Sequence, residues 1–344
     1  MKMRSENGEF DSRSYASAEV LPMKLIVNKP LIHSCLDHGK VLPIHLQLSP
    51  TNRCNFDCAY CSCSGRKKSL ELPIDKIMKF IYEFSSLGGQ SATITGGGEP
   101  LLHRHFAVMI DEILARNIRI GLVTNGTQWR RTEESRYFKN ITWIRISSSD
   151  ILEVLLKRVG SNLIEWFQNI DDMVALYPDV DWAFTHVLTK HPDERLIGDL
   201  IEFANDHNFT HVRVVNDIFE ADQLHLTMET VRANILHRGI DERRVNWQSR
   251  STWGKGQRKC WISLLKPVLG ADEYLYPCCG VQYALETPSR DFESTMRMGH
   301  MNQLKDIILH QKHFDGSICV KCYYKNYNDV LDVMLNGLAH ESFV

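Results

Sequence analysis

At 344 residues, 43% hydrophobic and 24% charged, the chain carries enough apolar material for one large domain and a smaller one. A net charge of −2 supplies none of the global field that marks a nucleic-acid or membrane-surface binder. No run of about eighteen apolar residues occurs, and the polar start Met1-Lys-Met-Arg-Ser-Glu-Asn lacks the apolar core of a signal peptide, so a cytoplasmic protein without membrane contact is expected. In that reducing compartment, ten cysteines point to metal or redox chemistry rather than disulfides.

Residues 1–20 lack periodicity and read as a flexible arm. Met23 to Pro43 has short apolar pieces and reads as an edge strand or a lead-in covering a barrel mouth. Ile44 to Ser49 alternates as a strand should. Pro73 opens a helix whose Ile77, Phe80, Ile81 and Phe84 recur at helical spacing and which stops at Gly88-Gly89. Ala92 to Thr95 is a second strand, and Phe106, Met109, Ile110, Ile113 and Leu114 form the next helical face. Ile118 to Thr124 is a third strand. Ile141 to Ser147 is strand, Leu152 to Tyr177 one or two helices, Trp182 to Leu188 strand, Leu196 to Asp206 helix, and Val212 to Val215 strand. About six β/α units within residues 44–215 predict a parallel α/β architecture with its chemistry at the strand C-termini. Six units rather than eight predict an open, partial (β/α)6 barrel.

The first strand delivers a dense group of thiols. Cys54, Cys58 and Cys61 stand in a C-x3-C-x2-C array, with Tyr60 just before the last. Thiolates ligate iron–sulfur clusters, and three of them leave one iron of a 4Fe–4S cube open to an external ligand. A zinc site also takes thiolates. Thirty-five residues after Cys61, at the end of the second strand, comes Gly96-Gly97-Gly98-Glu99-Pro100. The cysteine loop and glycine turn, in this order and spacing, resemble the radical SAM family. The resemblance implies that Cys54, Cys58 and Cys61 hold a catalytic 4Fe–4S cluster whose open iron binds S-adenosylmethionine. It also implies that Tyr60 places its backbone near the adenine. Gly97, Gly98 and Glu99 would meet the methionine amino group, and Ser147 would reach the ribose or carboxylate. Ser148-Ser149-Asp150 departs from the family pattern, and Ser147 reads equally as a helix cap. Thr124-Asn125-Gly126 reads either as site lining or as an Asn-Gly turn.

After Asn216 the alternation stops. Met228 to Leu236 is helix-like, and residues 243–259 hold six cations, no acid, and Trp247 and Trp253. Arg250, Trp253, Lys255 and Arg258 in this stretch are candidate substrate contacts for phosphates and stacked bases, with a solvated loop as the competing reading. A second cysteine set follows, Cys260-x17-Cys278 and Cys319-x2-Cys322, with a hairpin expected about Gly270 to Tyr276. This resembles the SPASM/twitch extension of radical SAM enzymes and implies one fully ligated auxiliary 4Fe–4S cluster; a zinc ribbon is the competing reading. The expected organisation is a lead-in over 1–43, a radical SAM partial barrel over 44–240 and a small cysteine-rich twitch/SPASM-like extension over 241–344.

Cys35, Cys63 and Cys279 remain, read as buried small hydrophobes. Cys279 adjoins a ligand of the second set and is the candidate hydrogen donor to a substrate radical. The resemblance implies a radical SAM enzyme with S-adenosylmethionine, two 4Fe–4S clusters and a reducing partner such as flavodoxin or ferredoxin. A small polar, sugar- or nucleotide-like substrate, including a nucleobase, is expected. Peptide modification is the alternative, and a non-enzymatic electron carrier or sensor is the reading from another class.

Overall fold

The computed structural model describes residues 21–148, 162–220, 223–249, 254–285 and 293–339. The arm read over 1–20, the first part of the Leu152–Tyr177 segment, and Arg250 and Trp253 lie outside these residues. Among the described residues the backbone forms one ten-stranded sheet in the order β10-β9-β8-β1-β2-β3-β4-β5-β6-β7. Strands β1 (His45–Leu48), β2 (Ser91–Ile94), β3 (Arg119–Thr124), β4 (Trp143–Ser147), β5 (Asp181–Leu188) and β6 (His211–Asn216) are the six expected from sequence. All of their pairings are parallel, so the fold is α/β and of partial-barrel type.

Parallel strands covered on both faces usually read as continuous apolar runs. These alternate instead. Leu46, Leu48, Ala92, Ile94, Ile120, Leu122, Ile144, Ile146, Phe184, Val212 and Val214 are fully buried outside the sheet, against the helices. Their neighbours His45, Gln47, Thr93, Arg119, Trp143, Arg145 and Ser147 line the lumen. Helix α3 (Ile74–Ser86) buries Ile77, Phe80, Ile81 and Phe84, and α4 (Phe106–Ala115) buries Phe106, Met109, Ile110 and Ile113. Both apolar stripes are the ones their spacing predicts.

Two departures follow from local chemistry. The lead-in is a pair of helices, α1 (Leu21–Ile26) and α2 (Lys29–His38), rather than an edge strand. Asn28 Oδ1 accepts the Leu31 N–H at 3.1 Å, Pro30 occupies the first turn, and Gly39 ends α2 at φ +60°. Such caps override a weak apolar pattern. The parallel sheet also runs past residue 240, because β7 (Val245–Gln248) pairs with β6 inside the basic stretch.

The chain then crosses to the opposite edge. Strand β8 (Val268–Leu269) pairs parallel to β1, and β9 (Tyr274–Tyr276) and β10 (Gly299–His300) add antiparallel. The expected hairpin turns at Gly270–Glu273, where Gly270 N donates to Tyr274 O at 2.9 Å. The cysteine-rich segment is thereby joined to the barrel through β1. Helix Lys325–Asn336 packs against α1 and α2 and seats the lead-in on the same body.

Candidate active site

The cysteine loop leaves β1 and is tied down before its first thiol. Asn52 N donates to Leu70 O at 2.9 Å. The Arg53 guanidinium donates to Glu71 and to the Leu102 carbonyl, both at 2.6 Å, and Arg104 adds a bond to Glu71 at 2.7 Å. The glycine turn is laid directly onto this loop: Gly98 N donates to Thr51 O at 3.0 Å and Glu99 N to Arg53 O at 2.8 Å. A Cβ on Gly98 would stand 2.0 Å from Arg53 O, and one on Gly97 would stand 2.1 Å from Asn52 Oδ1. Any side chain there would force the two loops apart, which is why the turn is built of glycine.

Glu99 is buried and locks the turn to the end of β3. It accepts from Thr124 Oγ1 at 2.6 Å, from Asn125 N at 2.8 Å and from Leu101 N at 3.1 Å. Burial pushes its carboxyl up to about 7 against those bonds. Asn125 Nδ2 continues to Asn55 Oδ1 at 2.9 Å, so β3 also braces the cysteine loop. Both readings of Thr124-Asn125-Gly126 hold: Thr124 and Asn125 line the cavity, and Gly126 makes a turn at φ +72°.

Cys54, Cys58, Cys61, Tyr60, Gly97, Gly98, Glu99 and Ser147 all line one cavity of about 1240 Å³ that runs down the barrel. Burial raises the Cys54 thiol to about 11 despite the Phe56 N–H at 3.3 Å, and the charges of Glu99 and Cys58 push the same way. Three crowded soft donors suit a cationic centre, which would hold them as thiolates. Asn52 Oδ1, pressed against Gly97, is buried without a hydrogen-bond partner and fits a donor from a bound group. Cys63 joins this neighbourhood, with Gly96 O and Gln282 Nε2 each 3.8 Å from its sulfur. It is a lining residue rather than a core hydrophobe. Cys35 is the buried hydrophobe expected.

The second set is assembled by backbone contacts. Cys260 N donates to Phe314 O at 3.1 Å, Cys322 N to Gly254 O at 2.7 Å, and Gly256 N to Cys319 O at 2.8 Å. Gly316 lies so close that a Cβ would come 3.3 Å from Cys260 Cβ. Burial pushes Cys260 up to about 12 and Cys319 to about 11; Cys322 and Cys319 raise the first further, and Cys322 the second. Cys278 is raised by burial, then by Cys279, Cys260 and Cys319. The four thiols therefore sit within one another's fields, a donor set suited to a metal centre. Among the described residues, no three His, Cys, Asp or Glu side chains close tightly enough to hold a single ion. Cys279 lines the barrel cavity, where it meets Tyr324.

The described cations of the basic stretch lie elsewhere. Arg243 pairs with Asp241, Arg244 donates to Phe209 O and Asn208 Oδ1, and Lys255 and Arg258 are exposed and outside the cavity lining. The cations that do line the cavity are Lys24, Lys29, Lys68, Arg119, Arg145, Arg213 and Lys266. Sequence reasoning passed over them. Arg119, Arg145 and Arg213 carried a signal, a charge at the inward position of a strand whose other face is apolar; the four lysines carried none.

A cysteine loop at the C-terminal end of β1, overlaid by a glycine turn from β2 on a parallel partial barrel, defines a radical SAM domain. Residues 48–204 match the Radical SAM superfamily, and the protein is an enzyme of that class, using S-adenosylmethionine and a 4Fe–4S cluster. The chain is 23% identical over 304 residues to GTP 3′,8-cyclase of Helicobacter pylori (strain ATCC 700392 / 26695), covering 85% of this chain and 84% of that protein. A shorter stretch of 88 residues is 40% identical to GTP 3′,8-cyclase of Actinobacillus succinogenes, covering 24% of this chain and 26% of that protein. In fold it is similar to Streptococcus suis SuiB bound to precursor peptide SuiA, with TM-score 0.56 and 15% identity over 90% of this chain and 74% of that one. It is also similar to anSMEcpe with bound AdoMet and peptide, at TM-score 0.50 and 14% identity over 85% and 96%. Membership of an enzyme class sets aside the electron-carrier reading. Among the described residues no helix is long and apolar enough to cross a membrane.

Proposed function

We propose that this enzyme abstracts a hydrogen atom from a small polar, sugar- or nucleotide-like substrate held in the barrel lumen, with a second 4Fe–4S cluster on Cys260, Cys278, Cys319 and Cys322 aiding electron transfer. The observation that carries the reading is the continuity of the cavity. It runs from the cysteine loop and glycine turn to the wall formed by Cys279 and Tyr324, directly beside the second thiol set. Its volume of about 1240 Å³ exceeds the roughly 300–1,000 Å³ of a one-ligand site, so cofactor and substrate fit together. The relatives are named for a reaction of GTP, a nucleotide.

Cys54, Cys58 and Cys61 would hold the catalytic cluster, which supplies one-electron cleavage of S-adenosylmethionine to a hydrogen-abstracting 5′-deoxyadenosyl radical. Tyr60, Gly97, Gly98 and Ser147 would orient that cofactor from the loop, the turn and the end of β4. Glu99 would act mainly by holding the turn in place, since its oxygens already accept from Thr124, Asn125 and Leu101. Cys279 would face the substrate as hydrogen donor. An electron donor such as flavodoxin or ferredoxin would serve the clusters.

The test is anaerobic reconstitution followed by a screen for 5′-deoxyadenosine release with nucleotides, phosphorylated sugars, neutral sugars and peptides. Release that depends on a nucleotide or sugar is expected. Release driven by peptides alone overturns the substrate class and assigns the enzyme to peptide modification.

A further inference from the structure

We infer that the floor of the barrel is an anion site, built by Lys24, Arg119 and Lys266, for a ligand group with two or more negative charges such as a diphosphate. The strand registers set its geometry. His45 on β1 pairs with Ser91 on β2, which pairs with Arg119 on β3. Gln47 pairs with Val268, and Lys266, two residues earlier, comes level with His45. Lys266, His45, Ser91 and Arg119 thus form one row at the N-terminal ends of the strands, and all four line the cavity. Lys24 is delivered to the same space by α1.

The centre of the row is neutral. His45 Nδ1 lies 2.8 Å from Ser91 Oγ and its Nε2 3.1 Å from Thr93 Oγ1, so hydroxyls satisfy both nitrogens. Burial, then Lys266, Lys24 and Arg119, hold its pKa well below the ordinary value. Lys24 keeps exposed surface, yet surrounding protein, Lys266 and Arg119 bring it down to about 8. Three cationic side chains thus face one space, a set that suits a multiply charged anion. Asp181 is the carboxylate nearest in register, one row up on the far strand β5, where Gln47, Thr93, Gly121, Trp143 and Asp181 align. Arg145 and Arg213 line the wall above it.

Position then constrains the ligand. From His45 to Leu48 the strand rises about 10 Å, and the cysteine loop lies beyond that end. The ligand therefore carries its anionic group about 10 Å or more from the hydrogen that is removed, as a nucleoside or sugar diphosphate does. This deepens the proposed reading only in identifying the ligand with the substrate.

The test is calorimetric titration of the reconstituted full chain with inorganic pyrophosphate at low and high salt, with thermal melting of each variant as the folding control. One site is expected, weaker at high salt. Arg119→Gln, Lys266→Gln and Lys24→Gln should each weaken it about tenfold or more, while Arg258→Gln leaves it unchanged. Each variant should stay folded in the melting control, so that a loss of binding reads the site and not the fold. No binding by the unaltered protein, or binding that falls with Arg258→Gln and not with the floor variants, overturns the site. Turnover of a neutral sugar without pyrophosphate binding overturns the anion site alone. Pyrophosphate binding without deoxyadenosine release from any compound overturns the reaction alone.

Discussion

Cys279 Sγ and Tyr324 Oη meet at 3.0 Å on the cavity wall, while the adjacent Cys278 belongs to the four-thiol set behind it. Tyr324 also stands 3.5 Å from Lys266 Nζ, so one phenol joins the cationic floor to the thiol beside the second set. Of the two neighbouring cysteines, Cys279 lines the cavity and Cys278 does not.

This pairing predicts that Cys279→Ser leaves iron content and deoxyadenosine formation intact while changing the product, because a hydroxyl does not readily donate a hydrogen atom. Product analysis by mass spectrometry in deuterated water checks it. An unchanged product and isotope pattern would return Cys279 to a packing role.

Iron content separates the two thiol sets. Reconstitution should load about eight irons per chain. Replacing Cys54, Cys58 and Cys61 by alanine should halve that load and abolish cofactor cleavage. Zinc in place of the remaining iron, by elemental analysis, would refute a second cluster.

The glycine turn gives a steric prediction. Gly98→Ala should destabilise the protein by roughly 1–3 kcal/mol, because its methyl would meet Arg53 O. It should also remove S-adenosylmethionine binding, since the turn would lift off the cysteine loop. Gly239→Ala is the control: nothing lies within 4 Å, but φ is +75°, so it should cost about 1 kcal/mol and leave binding alone. Melting curves and equilibrium dialysis distinguish the two.

Acid should unfold the protein earlier than carboxylates alone require. Burial lowers His186 to about 4, and burial with Arg145 and Arg213 lowers His211 to about 3. Both are neutral in the folded state and protonate near the model-peptide value of about 6.5 when unfolded. The unfolded chain binds more protons below that value, so stability falls as pH drops from about 6.5 toward 4. Each histidine contributes a slope of about 1.4 kcal/mol per pH unit. His186→Asn should flatten the pH dependence of denaturant unfolding by about one proton; an unaltered slope would refute the assignment.

Much of this was readable along the chain. The helical stripe of Ile77, Phe80, Ile81 and Phe84, the strand alternation at Leu46 and Leu48, the hairpin at Gly270–Glu273 and both cysteine groupings are local patterns, set by backbone period and bond geometry. The lead-in helices were hidden because two caps, not an apolar stripe, define α2. Strand β7 was hidden because Val245–Gln248, although it alternates, is a short half-buried edge strand set inside a run of cations. The basic stretch drew attention because its charges are adjacent in sequence, yet Lys255 and Arg258 face solvent. Lys24, Arg119 and Lys266 are spread over more than two hundred residues and look unremarkable singly. Only strand register and the packing of α1 bring them around His45, because a charge's field depends on distance in space, which the chain sets by folding.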